Sequence, residues 1–476
     1  MTKPDQNHLD NLKSIAGAGG WSDDPDVLAP HLVEWRDLYQ GKTPLLLLPD
    51  SSEKVAALVK YCHDNRLPLV PQGGNTGLVG GGLPDDSGNE ILISLKRLNK
   101  VRLRDPLNQT ITVEAGVILA DLQAMAEEMD LYFPLSLASE GTCQVGGNIS
   151  SNAGGVGVLK YGNMRDLVLG LEVVLPDGQL WDGLTGLRKD NTGYDLKQLF
   201  IGSEGTLGIV TAATLKLYPR PLNTQTALLA IPSPQAAIEL LTLARKMSGD
   251  LVTAFEIIPR IGLDFLVRHM DATDPMETAY DWHILMECSS SLDRLHLDLE
   301  NLFQQIMETA MEQELVLDGV IASSEQQRDN LWALRENLSE VQKFEGGSIK
   351  HDISVPVSKI PEFLEKATAA VEQAIPGIRP VPFGHIGDGN IHFNLTQPEG
   401  ADKAAYLDRW EEVNKIVHDI VHGLDGSISA EHGIGRLKVE ELTRYKSPLA
   451  LDLMRKLKKT LDPANILNPG RIVQND

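Results

Sequence analysis

The chain has few cysteines and a shortage of cations, and both limit what it can be. Only 3 cysteines occur in 476 residues, Cys62, Cys143 and Cys288. They are widely spread without metal-ligand spacing, which fits a reducing compartment and predicts that they pack as small apolar groups. Lys and Arg total 43 against 66 Asp and Glu, a net charge of −23. This charge argues against nucleic acid or an anionic membrane as a partner.

Long hydrophobic runs and targeting signals are also missing. No apolar run approaches the ~18 residues that suggest a membrane-spanning helix. The N-terminus, MTKPDQNHLDNLKSIAGAGG, is polar and has neither an apolar signal core nor an early arginine. We therefore expect a soluble, cytoplasmic protein, and its length predicts two or three domains.

Two histidines near the C-terminus could share a metal ion. His385 and His392 lie in FGHIGDGNIHFN, where residues 386–390 predict a turn between two short apolar strands. In one straight strand their spacing would place them on opposite faces, so the turn is needed to bring both imidazoles together. Asn394 follows His392 by two residues and should share its face.

A carboxylate could complete this site. Glu431 and His432 lie in AEHGIG, beside glycines that allow close backbone approach. Two imidazoles and one carboxylate leave coordination positions open and suit zinc, iron or manganese, of which we predict zinc. The competing pair His418 and His422 has helical spacing, but its charged neighbours predict a solvated helix face.

Three glycine-rich loops are the second strong signal. The first, PQGGNTGLVGGG, follows a predicted helix at 53–65 and a short strand, and its glycines could form an anion nest for a pyrophosphate. Another strand, ILISL, follows this loop instead of a helix, so a nicotinamide-binding Rossmann fold is not expected. The others are SEGTCQVGGNISSNAGGVGVLKYGNMRDL and FIGSEGTLGIV, with a hairpin turning at Asp177-Gly178 between them. Together the loops favour a large, phosphate-bearing cofactor over ordinary turns.

These segments, with LDPANILNPGRI, resemble the FAD-linked 2-hydroxyacid dehydrogenases of the vanillyl-alcohol oxidase superfamily along nearly the whole chain. That branch includes D-2-hydroxyglutarate dehydrogenase, D-lactate dehydrogenases and the flavin subunit of glycolate oxidase. The resemblance implies an α+β protein. Its expected parts are an N-terminal segment at 1–40, a two-subdomain FAD-binding domain at 41–222, an α+β substrate and metal-binding domain at 223–430, and a C-terminal segment at 431–476 that returns to the flavin.

The same resemblance implies which residues hold the FAD. They are Pro71, Gly73, Gly74, Asn75, Thr76, Gly77 and Gly80 around the pyrophosphate, Ser139, Thr142, Gly146, Asn148, Ser150, Gly154, Glu204 and Ile209 along adenine, ribose and isoalloxazine, and Asn468 over the ring. Asn75-Thr76 stands where covalent flavoproteins of this superfamily have a histidine. A non-covalent flavin is therefore expected.

Roles at the reacting centre also follow from the resemblance. It implies that His385, His392 and Glu431 bind the metal and that His432 is the catalytic base. It implies that Arg335, Ser339, Lys350 and Asn394 bind the substrate. D-2-hydroxyglutarate dehydrogenase has threonine where this chain has Ser339, which keeps the hydroxyl and leaves fine specificity open. From spacing alone, Arg335 and Ser339 lie one helical turn apart and could face one anion.

The expected reaction is metal-assisted oxidation of a D-2-hydroxy acid to a 2-oxo acid, with hydride passing to the flavin. The two cations favour a dicarboxylate, D-2-hydroxyglutarate or D-malate, while D-lactate or glycolate is the alternative within this class. A metal-dependent hydrolase and a passive flavin module are alternatives from other classes. The sequence has no iron–sulfur or haem motif, so an external acceptor such as electron-transfer flavoprotein or a quinone-linked partner is expected. A homodimer is the default expectation for a soluble oligomer.

Overall fold

Helices and strands occur throughout residues 2–36 and 38–474, the part of the chain that the computed structural model describes. The helices are α1 Gln6–Ala16, α2 Pro25–Leu28, α3 Ser52–Asn65, α4 Leu119–Glu127, α5 Val145–Ser150, α6 Val158–Tyr161, α7 Met164–Leu167, α8 Lys197–Phe200, α9 Pro234–Ser248, α10 Arg260–His269, α11 Leu299–Glu312, α12 Glu325–Glu336, α13 Leu338–Val341, α14 Ile360–Ala374, α15 Lys403–Leu407, α16 Trp410–Gly423, α17 Val439–Tyr445 and α18 Pro448–Leu461. Short 3₁₀ helices lie at Ala29–His31, Gln342–Glu345 and Val357–Lys359.

The strands are short at the N-terminus and longer in the middle of the chain. They are β1 Trp21–Ser22, β2 Leu46–Leu47, β3 Leu69–Gln72, β4 Ile91–Ser94, β5 Val101–Asp105, β6 Thr110–Glu114, β7 Leu131–Tyr132, β8 Val168–Val174, β9 Leu180–Gly183, β10 Ile209–Lys216, β11 Tyr218–Pro219, β12 Asn223–Ile231, β13 Val252–Pro259, β14 Trp282–Ser290, β15 Asp318–Ile321, β16 Ser348–Ile349, β17 Asp352–Ser354, β18 Arg379–Phe383 and β19 Asn390–Thr396.

Contacts divide the chain into two compact units. Unit 1 comprises Met1–Gly154, Gly162–Arg220 and Glu431–Asp476, and unit 2 comprises Gly155–Tyr161 and Pro221–Ala430. Both units combine helices with sheets, so the predicted α+β class is confirmed. No described helix is long and apolar enough to cross a membrane.

Unit 1 contains two principal sheets. One has the order β1-β2-β4-β3, with β4 parallel to both β2 and β3. The other is an antiparallel sheet of order β5-β6-β10-β8-β9. The predicted hairpin at Asp177-Gly178 is confirmed, because β8 and β9 pair with Val174 opposite Leu180.

Helix α3 shows how local sequence builds unit 1. The Ser51 side chain accepts a hydrogen bond from the Lys54 N–H and begins the helix. Val55, Leu58 and Cys62 recur at helical spacing on the buried face. This face packs in a core with apolar residues of β2, β3 and β4, and the helix predicted at 53–65 is confirmed.

Unit 2 is built on two antiparallel sheets. The first has the order β13-β14-β12-β15, and the second has β19 at its centre, paired with β16, β17 and β18. Helix α12 packs its buried residues Leu331, Trp332 and Leu334 in a core with β13 and β18. The three cysteines of the chain are buried and free, as predicted.

Candidate active site

The glycine-rich loops surround one cavity in unit 1. The space inside it, including open solvent at its mouth, is about 1020 Å³. The cofactor residues predicted from the sequence that line it are Pro71, Gly73, Gly74, Asn75, Thr76, Gly77, Gly80, Gly146, Asn148, Ser150, Glu204 and Ile209. Four predicted residues are not part of this lining: Ser139, Thr142, Gly154 and Asn468. Asn468 lies next to it, because its Nδ2 donates to the carbonyl oxygens of Gly81 and Glu204 at 2.9 and 2.7 Å.

The cavity wall depends on close backbone contact between loops. A Cβ at Gly74 would lie 2.2 Å from the carbonyl oxygen of Thr142, and one at Gly146 would lie 2.6 Å from the Ala115 Cβ. Gly77 lines the cavity, and a Cβ there would meet nothing within 4 Å. Side chains would therefore separate the loops at Gly74 and Gly146.

The chemistry of the lining fits the pyrophosphate of FAD. Of the described residues that line the cavity, none is Lys or Arg, and its many glycines offer backbone N–H groups that could hold an anion. Asn75 and Gly80 have left-handed backbones, with φ of 56° and 68°, which lets successive N–H groups turn inward. Asn75 Nδ2 also donates to the carbonyl oxygens of Pro30 and Val33, which fixes this loop to the N-terminal part of unit 1.

Glu204 connects the third glycine loop to the AEHGIG segment within unit 1. Its two carboxylate oxygens accept hydrogen bonds from the backbone N–H groups of Ile434 and Gly435, at 2.8 and 2.7 Å. Burial raises the pKa of Glu204, and these two N–H donors oppose the rise. The contact holds the segment that carries His432, and His432 itself lines the cavity.

The histidine hairpin predicted in unit 2 is confirmed. Strands β18 and β19 pair antiparallel with Phe383 opposite His392, and His385 lies in the loop between them. The ring centroids of His385 and His392 are 5.7 Å apart, and one nitrogen of each lies within 4.8 Å of the other. Asn394 lies two residues beyond His392 on β19 and is 3% exposed.

Glu256 is a site residue that the sequence analysis did not find. It lies on β13 and is 1% exposed, with Oε1 2.7 Å from His385 Nδ1 and Oε2 accepting from Arg335 Nε at 2.7 Å. Burial alone would raise the pKa of Glu256, but the charges and hydrogen bonds of His385 and Arg335 hold it at about 2. The available signal was one carboxylate in the apolar strand VTAFEIIP, since an ionised group is buried only with partners.

The spacing of Arg335 and Ser339 predicts one helical turn between them, but the structure interrupts the helix at Asn337. Helix α12 ends at Glu336 and α13 begins at Leu338, because Asn337 leaves the regular helix and its side chain bonds back to the Ala333 carbonyl. Arg335 is buried on Glu256, whereas Ser339 is exposed. Lys350 is half-buried and donates to the Ser339 carbonyl oxygen at 3.3 Å.

The prediction of a solvated face for His418 is also wrong. His418 on α16 is 2% exposed and packs edge-on to His351, with ring centroids 5.4 Å apart. The neighbouring charges do not make His418 exposed, because Lys415 and Asp419 pair with each other on the outer surface of the helix. His422 is exposed, as predicted.

Comparisons with known proteins agree with the cofactor cavity. Residues 43–183 match the family described as FAD binding domain, and residues 220–472 match the FAD linked oxidases, C-terminal domain. A mitochondrial D-2-hydroxyglutarate dehydrogenase of Danio rerio is 40% identical over 453 residues, covering 95% of this chain and 83% of the relative. A D-2-hydroxyglutarate dehydrogenase of Stutzerimonas stutzeri is 37% identical over 464 residues, covering 98% of both chains.

Solved structures agree on the fold. The structure of p-cresol methylhydroxylase with substrate bound matches with a TM-score of 0.76 at 16% identity, covering 99% of this chain and 98% of that one. At this identity the likeness concerns the fold alone. Because the two sequence families match in order and relatives near 40% identity match over almost the whole length, this chain belongs to the FAD-linked oxidases and is an FAD-dependent dehydrogenase.

Proposed function

We propose that this chain oxidises D-2-hydroxyglutarate to the 2-oxo acid in an FAD-dependent, metal-assisted reaction. The observation that carries this proposal is that His432 and the glycine loops line one cavity in unit 1, so a base and a cofactor site meet there. The relatives named above act on D-2-hydroxyglutarate according to their names. D-malate is a related dicarboxylate that the same groups could accept.

Different residues of this chain accept the proton and bind the substrate in the proposed oxidation. The oxidation removes a proton from the substrate hydroxyl and a hydride from the adjacent carbon. The cavity residues would hold FAD non-covalently, and the bound FAD would supply the acceptor chemistry for the hydride. His432 accepts the hydroxyl proton. Arg335 and Lys350 bind carboxylate groups and fix the substrate. Ser339 and Asn394 are the other two proposed substrate-binding residues, and both belong to unit 2.

His385, His392 and Glu431 would hold a divalent metal, which we propose to be zinc. Two imidazoles and one carboxylate leave open positions where a substrate can bind, and the ion would polarise its hydroxyl as a Lewis acid. The hairpin supports the histidine pair. Glu431 directly follows Ala430, whose N–H donates to the Asp352 carbonyl, and Asp352 lies opposite His392 in the β17–β19 pair.

A dicarboxylate is preferred over D-lactate or glycolate because two cationic side chains are assigned to substrate carboxylates. With lactate, one of them would face a methyl group and would make no hydrogen bond to that end of the substrate, which costs binding free energy. The reduced cofactor then needs an external electron acceptor, for which we propose electron-transfer flavoprotein or a quinone-linked protein. A homodimer and a cytoplasmic location remain predictions.

Steady-state kinetics with an artificial electron acceptor test the substrate. We expect kcat/KM for D-2-hydroxyglutarate to exceed that for D-lactate by about tenfold or more, because D-lactate lacks the second carboxylate and cannot make the hydrogen bonds that this carboxylate would form. A clear preference for D-lactate or glycolate would instead support the runner-up. Purified protein without flavin absorbance would reject the oxidation altogether and favour the metal-dependent hydrolase.

A further inference from the structure

One buried carboxylate in unit 2 forms hydrogen bonds with two residues of the proposed site. Glu256 uses one oxygen for His385 and the other for Arg335, both at 2.7 Å. We propose that Glu256 is a positioning residue that sets the tautomer of His385 for metal binding and aims Arg335 at the substrate carboxylate. This inference rests on the proposed metal-assisted oxidation and names a residue that neither the motifs nor the comparisons assign.

The chemistry of the donor set fixes the state of His385. An ionised carboxylate can only accept hydrogen bonds, so His385 Nδ1 must carry the proton that it donates to Glu256 Oε1. In a neutral imidazole the lone pair then lies on Nε2, and this is the atom that would bind a metal ion. A carboxylate behind a ligating histidine also makes the imidazole a stronger ligand.

The same carboxylate orients Arg335. Its Nε donates to Glu256 Oε2, while its two Nη groups make no hydrogen bond or ion pair with the described residues. The face of the guanidinium packs on Phe383, with Cζ 5.0 Å from the ring centroid. Held on one edge and one face, the guanidinium presents both Nη groups as a fork suited to a carboxylate.

A second carboxylate on the same sheet provides a matched comparison. Glu287 on β14 is buried and pairs with Arg328, which belongs to α12 like Arg335. Thr226 Oγ1 and Trp332 Nε1, both from buried residues, also donate to its carboxylate. Glu287 therefore shares the burial and the arginine partner of Glu256 without touching a predicted metal ligand.

The test compares Glu256→Gln, Glu287→Gln and wild type as FAD-loaded proteins that have been stripped of metal with a chelator. Glutamine has one acceptor oxygen for two donors, so either His385 changes tautomer or Arg335 loses its partner. Calorimetric titration with Zn²⁺ should show an affinity about 10–100-fold weaker in Glu256→Gln, the usual effect of losing such a partner. KM for D-2-hydroxyglutarate should rise in the same variant. Glu287→Gln should match wild type in both.

Flavin absorbance and circular dichroism identify variants that fold. If Glu256→Gln does not fold, Glu256→Asp is the alternative variant. Its shorter carboxylate keeps the charge but cannot reach both His385 and Arg335, so either the zinc affinity should fall or KM should rise. Unchanged zinc affinity and KM in whichever variant folds would overturn the role of Glu256 and leave the proposed function standing. Wild-type protein that binds no Zn²⁺ would instead overturn the proposed metal site, and this inference with it.

Discussion

His432 is the proposed proton acceptor, and it belongs to unit 1. The residue follows Glu431 in AEHGIG and lines the cavity that the glycine loops form. Glu204 binds the backbone two and three residues further on, which fixes the segment. A base on a segment fixed in this way needs little reorganisation to act.

Replacing His432 with alanine should remove turnover and spare the cofactor. We expect kcat to fall by about 10²–10⁴-fold, the usual contribution of general base catalysis, while FAD stays bound because backbone groups hold it. Flavin absorbance measures the bound FAD, and anaerobic flavin reduction with excess substrate measures the step. His422→Ala, an exposed residue on α16, is the control. Reduction at the wild-type rate in His432→Ala would show that another group takes the proton.

The positions of single residues could be predicted from the sequence where these residues belong to a local motif. The glycines of the first loop line the cavity, and the two histidines of one hairpin lie side by side. Glu256 could not be found in this way, because it is 79 residues from Arg335 and 129 from His385 along the chain. Such a contact depends on the arrangement of β13, α12 and the hairpin loop.

At the scale of elements, local rules predicted α3 and both hairpins but not the interruption between α12 and α13. No glycine or proline marks this interruption, and the pattern of apolar residues continues through it. The amide side chain of Asn337 accounts for it by bonding back to the Ala333 carbonyl. Asparagine competes with helical hydrogen bonds without always ending a helix, so the residue type alone does not predict the interruption.

Glu345 joins three elements of unit 2 and should make their packing sensitive to acid. It lies at the end of the 3₁₀ helix Gln342–Glu345 and binds Arg268 and His269 of α10 at 2.7 Å each, together with Arg379 of β18. Burial would raise its pKa, but the hydrogen bonds from His269, Arg379 and Arg268 hold the pKa at about 2, below its ordinary 4.5. The carboxylate therefore stabilises the fold fully above about pH 4.5, and this stabilisation is lost as the pH falls towards 2.

Glu345→Gln should lower the free energy of unfolding at pH 7 by about 1.5–3 kcal/mol, the range for hydrogen bonds to charged groups. The difference from wild type should shrink between pH 5 and pH 3, as wild type loses the same charge. Denaturant titrations across this pH range measure both effects. Glu362→Gln is the control, since Glu362 binds Lys359 and Lys366 at the surface. A difference that is equal at pH 7 and pH 3 would contradict the ionised Glu345.

At the scale of the whole molecule, the order of the motifs along the chain predicted the protein family, which the amino-acid composition could not do. Net charge and cysteine content only excluded classes of protein, whereas the ordered glycine loops and histidine motifs predicted the FAD-linked family that the comparisons show. The division into units was harder to predict from the sequence, because residues 155–161 belong to unit 2 although the chain on both sides belongs to unit 1. Only long-range contacts reveal this exchange, such as Lys160 donating to the Ser289 carbonyl.

The most direct test of the account is the rate at which D-2-hydroxyglutarate bleaches the flavin under anaerobic conditions, measured in a single turnover. Native protein, chelator-stripped protein and stripped protein restored with Zn²⁺ should be compared. We expect fast bleaching in the native and restored samples and a loss of at least about 10²-fold in the stripped one, since a metal contributes several kcal/mol of charge stabilisation. Stripped protein that bleaches as fast as native protein would contradict the role of the metal, and native protein that does not bleach would contradict the oxidation of D-2-hydroxyglutarate by this chain.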